Sequence, residues 1–404
     1  MLSGCQQVAE VAPWSQGTKP ATAATVEPPQ VPARPTTAPL PSPPPLPVPE
    51  PVVVAPRPVA KTETRAALLV PLSGPQAAVG QALANAAQLA LFEIADARFR
   101  LLPLDTRGTA EGAAQAMAQA LSQEADIVLG PVFSFEVKAV TPQAQEHHLP
   151  VLAFSTDRTV AGGGIYALGY LPGPQVARVI GFARSQGRWH VAVLARTDDY
   201  GRAVAESARE AAAAQGADLV AVEYYDPAQP DFAQAVRRLA AARTAQRPID
   251  AVLIADDGPR LRSLAGLVAG EFGAGAAPRL LGTLLWDDIR LRAEPSLAGG
   301  WYPAPPAASH EAFEQRYVKA FGPMPANVPA LLAGIAYDST ALAALLARQG
   351  KGDYSPAALQ SPVGFLGAGG LFRLTPAGLA ERGLAIREIT PQGAREIAPA
   401  PDTF

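Results

Sequence analysis

The chain has 404 residues, and 33 Lys plus Arg against 36 Asp plus Glu give 33 − 36 = −3, too near neutral for a nucleic-acid-binding face without local segregation of charge, and no basic block is present. A single cysteine excludes an internal disulfide framework, a Cys-based zinc site and a Cys-ligated iron–sulfur cluster. With 49% hydrophobic residues the fold can rest on an apolar core. Of the 42 prolines, 15 fall between Pro20 and Pro58, which divides the chain into a tail and a body.

The tail opens Met1-Leu2-Ser3-Gly4-Cys5, which resembles a bacterial lipobox, the site at which a lipoprotein is cleaved and acylated on its Cys. Only four residues precede Cys5, whereas an export signal needs a basic start and about 7–15 apolar residues, so either the true start lies upstream or the match is chance and Cys5 is an exposed thiol. The lipobox reading makes Cys5 the lipidation site and implies an anchor in a membrane, the outer one by preference. From Gln6 to Lys61 the proline content favours extended polyproline II, and at about 3.1 Å per residue forty residues reach on the order of 100 Å. No run of about 18 uninterrupted apolar residues occurs.

From Arg65 short apolar β-rich runs alternate with Ala-rich amphipathic stretches, the pattern of parallel sheets with helical crossovers. The predicted order is strand Ala66–Pro71, helix Ala78–Ile94, strand Arg98–Leu104, helix Ala110–Gln123, strand Ile127–Leu129, helix Glu136–His147 and strand Val151–Phe154. A second set runs helix Pro174–Gln186, strand His190–Leu194, helix Arg202–Gln215, strand Ala217–Glu223, helix Asp231–Thr244, strand Ala251–Ile254, helix Arg260–Gly270 and strand Arg279–Leu281. Two such sets predict two similar α/β lobes.

Val70-Pro71-Leu72-Ser73-Gly74, Asp105-Thr106-Arg107-Gly108-Thr109, Val128-Leu129-Gly130-Pro131, Leu149 to Ser155, Asp199-Tyr200-Gly201-Arg202, Asp231-Phe232 and Ala336-Tyr337-Asp338 follow one another along the chain. This order of motifs resembles the type I periplasmic binding proteins, the leucine/isoleucine/valine-binding group. The resemblance implies two Rossmann-like lobes with parallel sheets, joined by three crossovers around a ligand cleft at the strand carboxyl ends. Lobe 1 is then residues 64–172 plus 304–374, and lobe 2 residues 173–303 plus 375–399, after a tail of 1–63. The crossovers are expected near Tyr166–Pro174, Gly300–Pro306 and Gly370–Pro376, segments that also read as ordinary surface loops.

In amino-acid-binding members, hydroxyls and helix N-termini hold the ligand carboxylate, and the matching positions are Ser134, Ser155 and Thr156, each of which also fits a capping role. Tyr200 matches a ligand contact, and Ser73 lies in the opening motif. Where those relatives place an acidic residue for the ligand ammonium, the run Gly282 to Asp288 places Leu284, which puts ordinary amino-acid binding in doubt. That run, Gly-Thr-Leu-Leu-Trp-Asp-Asp, resembles penicillin-binding protein activators, lipoproteins that switch on a peptidoglycan synthase by protein contact. Trp286 is a candidate on the same resemblance.

Independently of any resemblance, Asp198-Asp199, Asp256-Asp257 and Asp287-Asp288 each follow an apolar run and should rim the cleft, unless they are only helix caps. Arg107, Lys138 and Arg158 answer from lobe 1, so Asp256 and Asp287 predict ion pairs across the cleft or a cationic ligand. No catalytic elbow, Ser-x-x-Lys, zinc-protease or phosphate-loop motif is present, and four scattered histidines make no metal site, which points to a non-enzymatic protein without cofactor. The primary expectation is a periplasmic activator-type regulator whose partner is a peptidoglycan synthase. The alternative is the solute-binding protein of an ABC importer, with a permease and a small ligand as partners.

Overall fold

The computed structural model describes residues 63–404 except 230, 274–276, 289, 292, 327 and 351. The lipobox-like start, Cys5 and the proline-rich segment therefore lie outside the described residues. Residues Ala60–Phe404 form one compact unit.

The first lobe is built from β1 (Thr64–Val70), α1 (Ala77–Ile94), β2 (Phe99–Asp105), α2 (Ala110–Ser122), β3 (Ile127–Leu129), α3 (Ser134–Glu146), β4 (Val151–Ala153) and β5 (Ile165–Ala167). Its strands are all parallel, in the order β2-β1-β3-β4-β5. The central β1 reads Ala66-Ala67-Leu68-Leu69-Val70 with every residue fully buried, as expected of a strand covered on both faces. Alternate residues serve different cores: Leu68 and Val70 pack under α1, while Ala67 and Leu69 meet Ala113, Met117 and Val137 of α2 and α3.

The chain then enters the second lobe through α4 (Pro172–Ser185), β6 (His190–Arg196), α5 (Asp199–Gln215), β7 (Asp218–Tyr225), α6 (Ala233–Ala241), β8 (Ala251–Ala255), α7 (Gly258–Phe272), β9 (Arg279–Leu281) and β10 (Trp301–Ala304). It returns through α8 (Ala307–Phe321), α9 (Ala330–Gly350), α10 (Pro356–Leu359), β11 (Phe365–Gly367), β12 (Gly370–Leu374) and β13 (Ala380–Arg382). Phe313 and Tyr317 of α8 and the buried face of α9 join the core beneath β1, so this return belongs to lobe 1. Helix α9 is long and apolar enough to cross a membrane by length and composition, and its apolar surface is instead covered by that core. The last pass adds β14 (Ala385–Thr390) and β15 (Gly393–Ala398) to lobe 2, whose sheet order is β15-β14-β10-β9-β8-β6-β7.

Two features differ from expectation. The lobe 2 sheet is mixed, because β14 pairs antiparallel with both β10 and β15. The third crossover lies at Gly383–Leu384, between β13 and β14, and not at Gly370–Pro376, which forms β12 and its turn in the antiparallel sheet β11-β12-β13. The other two passages are Leu168–Leu171 and Pro305–Pro306, inside the expected segments. Beyond β15, Pro401 lies against Gly383 and the Phe404 ring sits 4.6 Å from the Arg373 guanidinium of β12, so the C-terminal segment crosses back toward lobe 1.

Candidate functional site

Strand carboxyl ends of both lobes face a cavity of 1320 Å³. Lobe 1 contributes Lys138 of α3 and Thr156, Asp157, Arg158 and Thr159 from the loop after β4. Lobe 2 contributes one long face of α5, including Tyr200, Ala203, Ser207, Ala211 and Ala214, and the start of α4. The floor comes from the crossover segments around Leu171, Leu379 and Arg382, and the C-terminal Pro401 and Phe404 complete one side.

Tyr200 lies in the first turn of α5, whose N-terminus is capped by Asp198 accepting the Gly201 N–H at 2.9 Å. Its hydroxyl donates to Thr283 Oγ1 at 2.8 Å, and the Arg196 guanidinium stands 5.1 Å from its ring. Burial pushes the phenol up to about 12, so it stays a neutral donor through the physiological range. Thr156 is exposed on the opposite wall, beside Asp157, which accepts from Thr159 N–H at 2.9 Å and lies 3.9 Å from Lys138 Nζ.

Of the nine candidate cleft residues, only Thr156 and Tyr200 line this cavity. Ser155 is 5% exposed and its hydroxyl accepts the Asp157 N–H at 3.1 Å, which shapes the loop that presents Thr156. Ser134 is the first residue of α3, half-buried, with Glu136 Oε2 accepting the adjacent Phe133 N–H at 3.1 Å. Ser73 donates to Asp105 Oδ2 at 2.6 Å, and Arg107, in a left-handed conformation with φ 55°, reaches Gln115 at 3.0 Å; both tie loops within lobe 1.

Asp256, Trp286 and Asp287 are corrected by the structure: they point into lobe 2, not across the cleft. Asp256 is fully buried, held by Nε and Nη2 of Arg260, each at 3.0 Å, and by the Tyr225 hydroxyl at 2.7 Å. Asp287 takes Arg387 at 2.9 Å and the Tyr302 hydroxyl at 3.1 Å. Both acids have intralobe cationic partners, so no cation is required from lobe 1 or a ligand. Trp286 is fully buried against Gly282 and Gly300, where a Cβ at either glycine would collide with its indole. Of the acid pairs, Asp198 is a cap, Asp199 pairs with Arg202, and Asp288 pairs with Arg290.

What sequence reasoning missed is the α5 face, Arg178 and the C-terminal segment. The first was visible as Ala203, Ser207, Ala211 and Ala214, a small-residue row at helical spacing that continues the face of Tyr200. Leu284 keeps its apolar character, and its backbone N–H is taken by Gln175 Oε1 at 2.8 Å. Among the described residues no group of His, Cys, Asp and Glu could hold a metal ion.

Comparison with known proteins agrees with this architecture. A curated relative, an uncharacterised protein of Rickettsia prowazekii, is 20% identical over 177 residues, or 44% of this chain; the chain spans 47% of that relative's length. A branched-chain amino acid ABC transporter periplasmic ligand-binding protein from Burkholderia xenovorans superposes with a TM-score of 0.66 at 16% identity, covering 84% of this chain and 95% of that one. A solute-binding protein of an ABC transporter from Rhodopseudomonas palustris, solved with 4-hydroxybenzoate, gives a TM-score of 0.59 at 16% identity, covering 84% and 98%. At these identities the likeness concerns the fold. The model of the periplasmic binding protein family matches residues 63–393, most of the chain, and the protein belongs to that family.

Proposed function

We propose that residues 63–404 form a non-enzymatic periplasmic capture module that encloses a solute between its lobes and delivers it to an ABC importer. The observation that carries this reading is the 1320 Å³ cavity walled by both lobes, with Lys138, Thr156 and Arg158 facing Tyr200 and Arg202. A site divided between two lobes gains ligand contacts from both only when they close, which couples binding to conformation. The names of the structural neighbours, which span branched-chain amino acids and an aromatic acid, support a solute with a carboxylate. Leu284, where an acid would pair a neighbouring ammonium, argues against a free amino acid held in the usual orientation.

The activator-type reading draws less support. It rested on the Gly282 to Asp288 run and on the lipobox-like tether, which lies outside the described residues, and Trp286 and Asp287 of that run are occupied with packing lobe 2. Asp256, offered as a cleft contact, is likewise enclosed.

The test is a thermal-shift screen of the protein against amino acids, aromatic acids, cell-wall fragments and polyamines. A ligand at a hundredfold excess over Kd stabilises the folded state by about 2.7 kcal/mol. A saturable shift that Tyr200→Ala abolishes supports capture. A shiftless panel, with a peptidoglycan synthase retained on the immobilised protein, would replace this reading with the activator one.

A further inference from the structure

The cavity is longer than a single amino acid needs. Its lining follows α5 from Asp199 to Gln215, the whole helix, which at 1.5 Å per residue is about 24 Å. Its volume of 1320 Å³ also exceeds the roughly 300–1,000 Å³ of ordinary small-molecule sites.

The charges on its wall narrow the occupant. Lys138 lies 3.9 Å from Asp157, Arg202 pairs with Asp199 at 2.7 Å, Glu381 with Arg373 at 2.6 Å and Arg382 with Asp338 at 3.0 Å. Arg178 is spent on the carbonyls of Leu384 and Pro399 at 2.8 and 2.7 Å. Two charged side chains of the lining remain without a partner among the described residues, Arg158 and Glu210, both exposed and of opposite sign. Arg158 is on the loop after β4, on the lobe 1 side of the cavity that α5 lines from lobe 2. Glu210 is ten residues beyond Tyr200 on α5, about 15 Å along the helix. Between Tyr200 and Glu210 the α5 wall is made of the small residues Ala203 and Ser207.

We infer that this cavity binds a short unblocked peptide of about four or five residues in extended form, its carboxylate at Arg158 and its ammonium at Glu210. An extended chain rises about 3.3 Å per residue, so four or five residues match the 15 Å of α5 wall between Tyr200 and Glu210. Each terminal charge of the peptide then meets an unpaired opposite charge, and the Ala-lined wall takes its side chains. The same arrangement accounts for Leu284: the ammonium lies far from that position, so no acid is needed there. This inference rests on the capture reading and specifies its ligand.

The experiment is native mass spectrometry of the full chain with an equimolar library of unprotected tetra- and pentapeptides, alongside leucine, alanine and 4-hydroxybenzoate, followed by titration calorimetry of the retained peptides. Peptides are expected to be retained and the single solutes not. N-acetylation of a retained peptide should weaken binding to the wild type at least tenfold and leave Glu210→Gln unaffected, while C-terminal amidation does the same with Arg158→Gln. Both substitutions are at exposed positions, and unchanged circular dichroism verifies their fold. Retention of a single solute with no peptide overturns the inference and leaves the capture reading standing. Retention of nothing overturns both, and equal binding of free and acetylated peptide overturns the placement of the termini.

Discussion

Arg382 and Asp338 are 3% and 1% exposed at their side chains and lie 3.0 Å apart, with the pair further satisfied by the Leu168 carbonyl and the Ala368 N–H. Arg382 also stands 4.4 Å over the Tyr170 ring, whose phenol burial pushes up to about 12. Removing one member of a buried pair strands the other charge, so Asp338→Ala should cost about 3–5 kcal/mol in denaturant unfolding. The double variant Asp338→Leu with Arg382→Met should recover most of that loss, because no ion is then left unpaired. Glu136 carries the opposite lesson. Burial pushes its carboxyl up, outweighing hydrogen bonds from Thr106 and from the Phe133 and Val132 amides. A carboxyl whose folded value is raised contributes stability below its unfolded value of 4.5, and loses it as pH rises through the folded value. Glu136→Gln keeps the acceptor for the Phe133 N–H but cannot ionise. Its stability relative to wild type should therefore increase from pH 4 toward pH 7, and a constant difference across that range would show that Glu136 does not titrate with folding.

At the scale of elements, the βα alternation through β9, β5 excepted, is legible because the central strands are apolar on both faces and the helices repeat small and apolar residues with helical period. Strands β3 and β9 coincide with the sequence expectation, and most other boundaries move by one to three residues. The C-terminal strands were not legible, since β11 and β15 have no fully buried residue and owe their form to antiparallel pairing rather than to an apolar pattern. The acid pairs were misread for a related reason: a strand end fixes where an Asp begins, not where its side chain goes. The spacing of Asp256, just before α7, and Arg260, four residues on in its first turn, was the available signal for an intralobe pair. The Gly282 to Asp288 run is packing of the same kind, with the Trp286 indole flat over Gly282. Gly282→Ala should force the indole out of place and cost about 3 kcal/mol, with loss of near-ultraviolet dichroism from Trp286. An unchanged Tm would mean that lobe 2 repacks freely around this motif.

Across the whole molecule, three arginines bind the crossovers to one another. Arg382 donates to Leu168 of the first passage, Arg387 to Pro305 of the second at 3.1 Å, and Arg178 of α4 to Leu384 of the third at 2.8 Å. Arg382 and Arg387 themselves flank the third passage, so the three crossovers are tied to one another by arginine–carbonyl hydrogen bonds. Arg178 also holds Pro399, which keeps the C-terminal segment on its path toward Arg373. Of the three, Arg178 is the one to test, since its partners are carbonyls and its removal orphans no acid. With Cys5→Ser, spin labels at Glu111 on lobe 1 and Arg237 on lobe 2, both exposed, report the interlobe distance. The wild type should give one narrow distribution, and Arg178→Met a broader one, with a stability loss of about 1–3 kcal/mol for the stranded carbonyls. The broadening should shrink again when ligand closes the lobes, because contacts to both walls replace the missing tie. A distribution as narrow in Arg178→Met as in wild type would assign the alignment of the lobes to Arg382 and Arg387 alone.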